Sequence, residues 1–157
     1  MHRAKRILCP TDFSKHSRFA LRRAAAMARA SGAEMILVHV LPQAPLAEAS
    51  ELSSIIPKVR AIMKLEEERA RAALKREARS KLLREVKVRT VLAGGSPSRE
   101  IVRIASRMRA DLIVISTHGT TGVLHLVLGS VAEGVVRLAQ CPVLVVKPSR
   151  VRTARVG

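Results

Sequence analysis

The sequence predicts an α/β domain built on an open parallel sheet with helices on both faces. Three observations carry that expectation. Strand-like and helix-like segments alternate along the chain in the order β-α-β-α-β-α-β-α-β. Several strand-like runs, such as EMILVHVL, are almost continuously apolar, as strands covered on both sides require. The stretch from Asp111 to Val146, DLIVISTHGTTGVLHLVLGSVAEGVVRLAQCPVLVV, reads as strand, Gly-containing loop, helix and strand. A junction of that kind aims backbone N–H groups and the positive end of a helix dipole at one point, which suits a phosphate.

Each element follows from its residues. Arg6 to Cys9 is a short strand ended by Pro10. Ser14 is the predicted N-cap of a helix running to Ala30, with Ala20, Leu21, Ala24, Met27 and Ala28 as its apolar face. Gly32 closes it. Glu34 to Leu41 is a strand stopped by Pro42, and residues 43–56 read as a loop, with or without a helical turn. A long charged helix is predicted from Lys58 to about Leu83, with apolar positions at Ile62, Leu65, Ala72, Ala73 and Leu82. Glu85 to Ala93 ends in a strand. Gly94-Gly95-Ser96-Pro97 turns into a helix over Ser98 to Arg109, burying Ile101, Val102, Ile104 and Ala105. Leu112 to Ile115 is a strand, a helix opens at Gly129 or Ser130 and runs to about Ala139, and Pro142 to Val146 is the last strand. Residues 1–148 read as one domain, with a basic tail over 149–157.

Composition sets limits. The chain has 157 residues, enough for one well-buried core. There is no Trp or Tyr, so Val, Ile, Leu, Ala and Met must fill that core. No apolar run approaches the roughly 20 residues of a membrane span, so no membrane partner is expected. The basic lead MHRAKRILCPTD lacks the pattern of a signal peptide, and two cysteines do not make a disulfide scaffold. A cytoplasmic location is the simplest expectation. Cys9 and Cys141 fall at opposite edges of a parallel sheet, so no bridge between them is expected. The formal net charge of +17 concerns partners and solubility, not fold.

In open parallel sheets, ligands bind beyond the carboxyl ends of the strands, where the strand order reverses. The loops after Cys9, Val40 and Ile115 are therefore the places to look. The residues there resemble the universal stress protein family. ILCPTDFSKHSRFALRRA is similar to that family's first strand, Pro-Thr-Asp-Phe-Ser turn and first helix. LVHVL, GGSPSREIVRIA, STHGTTGVLHLVLGSVAEGVV and CPVLVV resemble, in order, its second strand, third-helix turn, nucleotide loop and last strand. The resemblance covers roughly residues 5–148. It implies a five-stranded parallel sheet in the order 3-2-1-4-5, a Rossmann-like arrangement of the adenine nucleotide alpha hydrolase type.

It also implies a site. The family pattern of Gly, two residues, Gly, nine residues and Gly-Ser is met at Gly119 and Gly129-Ser130, with Ser116 in place of the first glycine. A serine fits there if its backbone keeps φ below zero. Pro10, Thr11 and Asp12 match the adenosine-contacting turn, with Asp12 as acceptor for the ribose; its bland alternative is a helix cap shared with Ser14. Val40 supplies backbone contacts near the base or is only a core valine. Ile115 and Ser116 lead into the phosphate loop, Ser130 offers a hydroxyl and Val131 an N–H. His118 reads either as a phosphate contact, through its backbone or ring, or as a loop histidine with no role. No catalytic residue is assigned. No metal site is expected, because His2, His16, His39, His118 and His125 show no ligand spacing. His39, inside a strand, reads as structural.

The implied ligand is ATP or another adenine nucleotide, with Mg²⁺ as companion of the phosphates. The expected role is a nucleotide-responsive regulatory or interaction module, in which binding orders residues 117–128. The alternatives are a slow ATPase or self-phosphorylating enzyme, and a member that uses only its basic surface on protein or nucleic acid. The first lacks a G-x-x-x-x-G-K-[ST] loop. The second has Ser116 in place of glycine as its best support, with the basic stripe Lys15, Arg18, Arg22 and Arg29 beside it and the scarcity of base-stacking aromatics against it. The last strand, Pro142, Val143, Leu144, Val145 and Val146, is an apolar edge that needs a cover, and in the family it pairs with a second copy. A homodimer and an unidentified protein partner are the remaining expectations.

Overall fold

A computed structural model of the chain describes residues 4–42, 56–117 and 128–147. The elements are β1 (Arg6–Pro10), α1 (Lys15–Ser31), β2 (Glu34–Leu41), α2 (Ile56–Ala78), a 3-10 turn (Lys81–Leu83), β3 (Val88–Gly94), α3 (Pro97–Arg107), β4 (Leu112–Ser116), α4 (Ser130–Leu138) and β5 (Val143–Val146). All strand pairs are parallel, and the sheet order is β3-β2-β1-β4-β5. This is the topology that the family resemblance implies.

The period-two geometry of a strand sends neighbouring side chains to opposite faces. Here that produces two cores. Ile7, Cys9, Met35, Leu37 and Val114 face one side, where Ala20, Leu21, Ala24 and Ala25 of α1 and Leu74 of α2 cover them. Leu8, Ile36, Val38, Ile113 and Ile115 face the other, under Ile101 and Ile104 of α3 and Ala132 and Val135 of α4. Each large aliphatic side chain so buried contributes about 2 kcal/mol. The central strands are apolar on both faces because both faces are covered.

Local signals hold the helices. Ser14 caps α1, its hydroxyl accepting from the Ser17 N–H at 3.1 Å. Gly32 ends α1 at φ 67°, the left-handed geometry that glycine takes without strain. Gly134 lets α4 lie against α3: a Cβ there would meet the Ser98 Cβ at 2.7 Å.

Three expectations are corrected. The long helix stops at Ala78, and a separate 3-10 turn follows; Ser80 leaves helical geometry at ψ 157°, and Leu83 then tucks into the core at 2 % exposure. Second, Ile62 and Leu65 are solvent-exposed, while Ala70, Leu74 and Glu77 form the buried face. Leu65 falls on the opposite side of the helix from that face, at 3.6 residues per turn; for Ile62 the cause is length. A helix of 23 residues spans about 34 Å, whereas a seven-residue β3 spans about 23 Å, so one end of α2 overhangs the sheet. Third, Met27 lies at the rim of the α1 face at 37 % exposure; Ala25 takes the core position. The last strand is β5 proper, Val143–Val146, with Pro142 before it.

Cys9 and Cys141 are both free, and the Cys9 thiol is pushed far above the ordinary range by burial and by the negative charge of Glu77. Among the described residues no helix is long and apolar enough to cross a membrane.

Candidate nucleotide cleft

The strand order reverses between β1 and β4. Their registered pairs are Ile7↔Leu112 and Leu8↔Ile113 only, so the two strands part toward their carboxyl ends. A cleft of about 430 Å³ opens there. It lies within the size range of small-molecule sites.

Nine of the residues singled out in the sequence line this one cleft. Pro10, Thr11 and Asp12 come from the end of β1, and Val40 from the end of β2. Ile115 and Ser116 come from the end of β4, and Gly129, Ser130 and Val131 from the start of α4. His118 and Gly119 lie outside the described residues. The ends of the segment that holds them are clipped together: the Gly129 N–H donates to the Thr117 carbonyl at 2.6 Å, and the Thr117 N–H donates to the Val146 carbonyl at 3.1 Å.

Ser116 meets the backbone condition. The described non-glycine residues with positive φ are Phe13, Glu85 and Arg109, so Ser116 needs no glycine geometry. Asp12 does serve as a local cap, Oδ1 accepting from the Ser14 N–H at 3.0 Å, and it also faces the cleft. The two readings of this residue coexist.

The turn after β1 is held from beneath. The Thr11 N–H donates to the Val38 carbonyl at 2.8 Å, and the Thr11 carbonyl accepts from His39 Nδ1 at 2.7 Å. Because a carbonyl only accepts, that contact places the proton on Nδ1. The Thr11 hydroxyl donates to Glu77 Oε2 at 2.9 Å and accepts from the Phe13 N–H at 3.1 Å. Phe13 sits at φ 63° with its ring 4.5 Å from that of His39. A left-handed phenylalanine is strained by about 1 kcal/mol or more, and this network holds it in place. Glu77 has only 9 % of its surface exposed; its other contact is Arg18, 3.9 Å away.

Sequence reasoning missed Glu77, which it assigned to the solvated charge of the long helix. It also missed Ser17, Val38 and Pro97 as cleft walls, and His39 beyond a structural role. Periodicity does not separate Glu77 from Glu66 and Glu67, which share the helix face of Ala70 and Leu74; its position along α2, beside the β1–α1 turn, does.

The arrangement offers three kinds of contact. Val38, Val40, Ile101 and Ile115 are apolar walls. Asp12 is a carboxylate acceptor. The first turn of α4, entered through Gly129 at φ −71° without a side-chain cap bond, offers N–H donors and the positive end of its dipole.

A sequence model of the Universal stress protein family matches residues 3–147. The chain is 39 % identical over 148 residues to Universal stress protein MJ0531 of Methanocaldococcus jannaschii, covering 91 % of this chain and 82 % of the relative. It is 34 % identical to Universal stress protein MJ0577 of the same organism, over 91 % of this chain and 94 % of the relative. The solved structure of MJ0577 superposes with a TM-score of 0.74, covering 95 % of this chain and 99 % of that one at 30 % identity. A crystal structure of a universal stress protein in complex with cAMP superposes at 0.59, with 26 % identity and coverage of 92 % and 98 %.

Proposed function

This chain belongs to the universal stress protein family, and on that premise we propose that its carboxyl-edge cleft binds ATP or a related adenine nucleotide. The observation that carries the reading is the convergence of Asp12, the apolar walls and the uncapped start of α4 on one cleft of about 430 Å³. An adenine needs apolar walls, a ribose an acceptor for its hydroxyls, and phosphates an array of N–H donors. A family relative that has been crystallised with cAMP supports the same ligand class.

In this reading Val38, Val40 and Ile115 hold the base, and Asp12 takes the ribose. Ser130, Val131 and the backbone of Gly129 take the phosphates, with His118 and Gly119 as further contacts of this reading. Among the described residues no Lys or Arg lines the cleft, so the N–H groups and dipole of α4 carry the phosphate contacts. Mg²⁺ would be held mainly by phosphate oxygens and water, as that ion commonly is. The protein then acts as a nucleotide-responsive regulatory module in stress response.

Thermal unfolding tests this. ATP at about 100 times its Kd adds about 2.7 kcal/mol, a rise in Tm of roughly 5–11 °C for a chain of this size. Asp12→Asn keeps the acceptor for the Ser14 N–H but removes the charge, and is expected to shrink the rise. No rise at millimolar ATP overturns the reading.

A second copy is the proposed cover of β5. This edge strand is apolar, and Leu144 is 39 % exposed on it. Sedimentation at micromolar concentration is expected to give a dimer that Leu144→Arg disrupts. A wild-type monomer would remove the idea.

A further inference from the structure

A second cleft, of about 700 Å³, runs between α3 and the edge strand β3, on the sheet face that carries α3 and α4. Its rim carries five arginines: Arg6, Arg89, Arg103, Arg107 and Arg109. Two carboxylates share the cleft, and each is already engaged. Glu34 pairs with Arg89 at 3.3 Å, and Glu100 pairs with Arg103 at 2.6 Å. Arg6 donates to the Met108 carbonyl at 3.2 Å. Arg107 and Arg109 have no carboxylate within 4.0 Å among the described residues. The floor is apolar, formed by Val91, Ala93 and Ile104.

The fold does not require this concentration of charge. The buried face of α3 is Ile101, Ile104 and Ala105, and its arginines add nothing to that face. Arg109 stands at φ 51°, a left-handed position where glycine or asparagine is less strained. Five arginines against two glutamates leave the cleft with three positive charges in excess, and a cleft lined by one sign of charge focuses its field toward an anion.

We infer that this cleft binds the phosphate backbone of a single-stranded nucleic acid. Arg103 and Arg107 are four residues apart on one helix, so they lie about 6 Å apart along its axis, within reach of successive phosphates of an extended strand. A cleft of about 700 Å³ between one helix and one strand suits a single extended chain better than the broader duplex. The scarcity of aromatics, which weighs against nucleic acid in the sequence, is answered by the guanidinium planes, on which bases also stack. The apolar floor takes the sugars. Recognition by charge and stacking is independent of sequence, and the net charge of +17 supplies its long-range attraction. The cleft is separate from the one assigned to the nucleotide; the two share no lining residue.

The test is fluorescence anisotropy with a labelled oligothymidylate of about 15 nucleotides, between about 50 and 200 mM salt. Wild-type protein is expected to bind with an affinity that falls steeply as salt rises. Arg107→Gln combined with Arg109→Asn removes two contacts from exposed positions. That variant should bind about tenfold more weakly, with a log–log salt slope shallower by about 1.4. Its ATP-dependent rise in Tm should equal that of the wild type, so failure here is separable from failure of the nucleotide reading. A control, Lys15→Gln with Arg22→Gln on the exposed stripe of α1, should lose less than about threefold. The inference is overturned if the oligonucleotide does not bind at low salt, or if the control loses as much as the cleft variant. It is also overturned if a duplex of equal length, or inorganic polyphosphate, binds more tightly than the single strand.

Discussion

Gly134→Val is expected to destabilise the protein by about 3 kcal/mol, the upper end for overpacking a helix contact. Helix propensity alone argues the other way for Gly134→Ala, since alanine is favoured over glycine by about 1 kcal/mol within a helix. The contact decides the sign. A Cβ at 134 would lie 2.7 Å from the Ser98 Cβ and 2.9 Å from its Oγ, far inside van der Waals separation. Valine adds two methyl groups to that clash. Relief requires α4 to move away from α3, and the start of α4 brings Gly129, Ser130 and Val131 to the carboxyl-edge cleft. Urea unfolding should therefore show the loss, and ATP titration should show weaker binding. Ser98→Gly in the same chain should recover part of both. A Gly134→Val protein as stable as the wild type would mean that α3 and α4 are not packed this closely.

Glu77→Ala is the second large effect. The Glu77 carboxylate accepts from the Thr11 hydroxyl at 2.9 Å, inside a network that is almost closed to water. Its loss removes a charge-assisted hydrogen bond and leaves a small void beneath the β1–α1 turn. About 2 kcal/mol is expected, since hydrogen bonds to charged groups contribute about 1.5–3 kcal/mol each. The partner Arg18 is mostly exposed, so its own share is small. Glu77→Gln keeps an acceptor for Thr11 and should cost about 1 kcal/mol or less. The more telling readout is the nucleotide. If Glu77 holds the Thr11–Asp12 turn in shape, Glu77→Ala weakens ATP binding and Glu77→Gln largely restores it. Equal ATP affinity in all three proteins would assign Glu77 to stability alone.

Much of the fold was legible because its signals are local. Continuous apolar runs mark β1, β2 and β4 as doubly covered strands. Ser14 and Gly32 bracket α1, each through contacts within a few residues. The cleft walls Pro10 to Asp12 and Gly129 to Val131 were legible for another reason: in an open parallel sheet the carboxyl ends of the strands are the binding edge, and the loops there can be read off in order. Less was legible in α2. Its charges and apolar residues are spread around the whole helix, so several faces are compatible with burial. Ile62 and Leu65 are as apolar as Leu74, yet they stay in solvent, Ile62 beyond the end of the sheet and Leu65 on the opposite helix face. Ser116 shows the converse. A motif glycine is replaced, and only the structure shows that the backbone at this position has no positive φ.

Strand alternation, helix limits at capped ends and the identity of the loops on the binding edge were determined by the sequence itself. Those properties arise between residues close in the chain, through the two-residue and 3.6-residue periods of the backbone. The tertiary structure decided which part of α2 covers the sheet, and so which glutamate meets Thr11 across 66 positions of sequence. It also decided that arginines from β1, β3, α3 and the turn after it share one cleft. Neither is readable from periodicity, because both depend on where the sheet order and the length of a covering helix bring distant segments together.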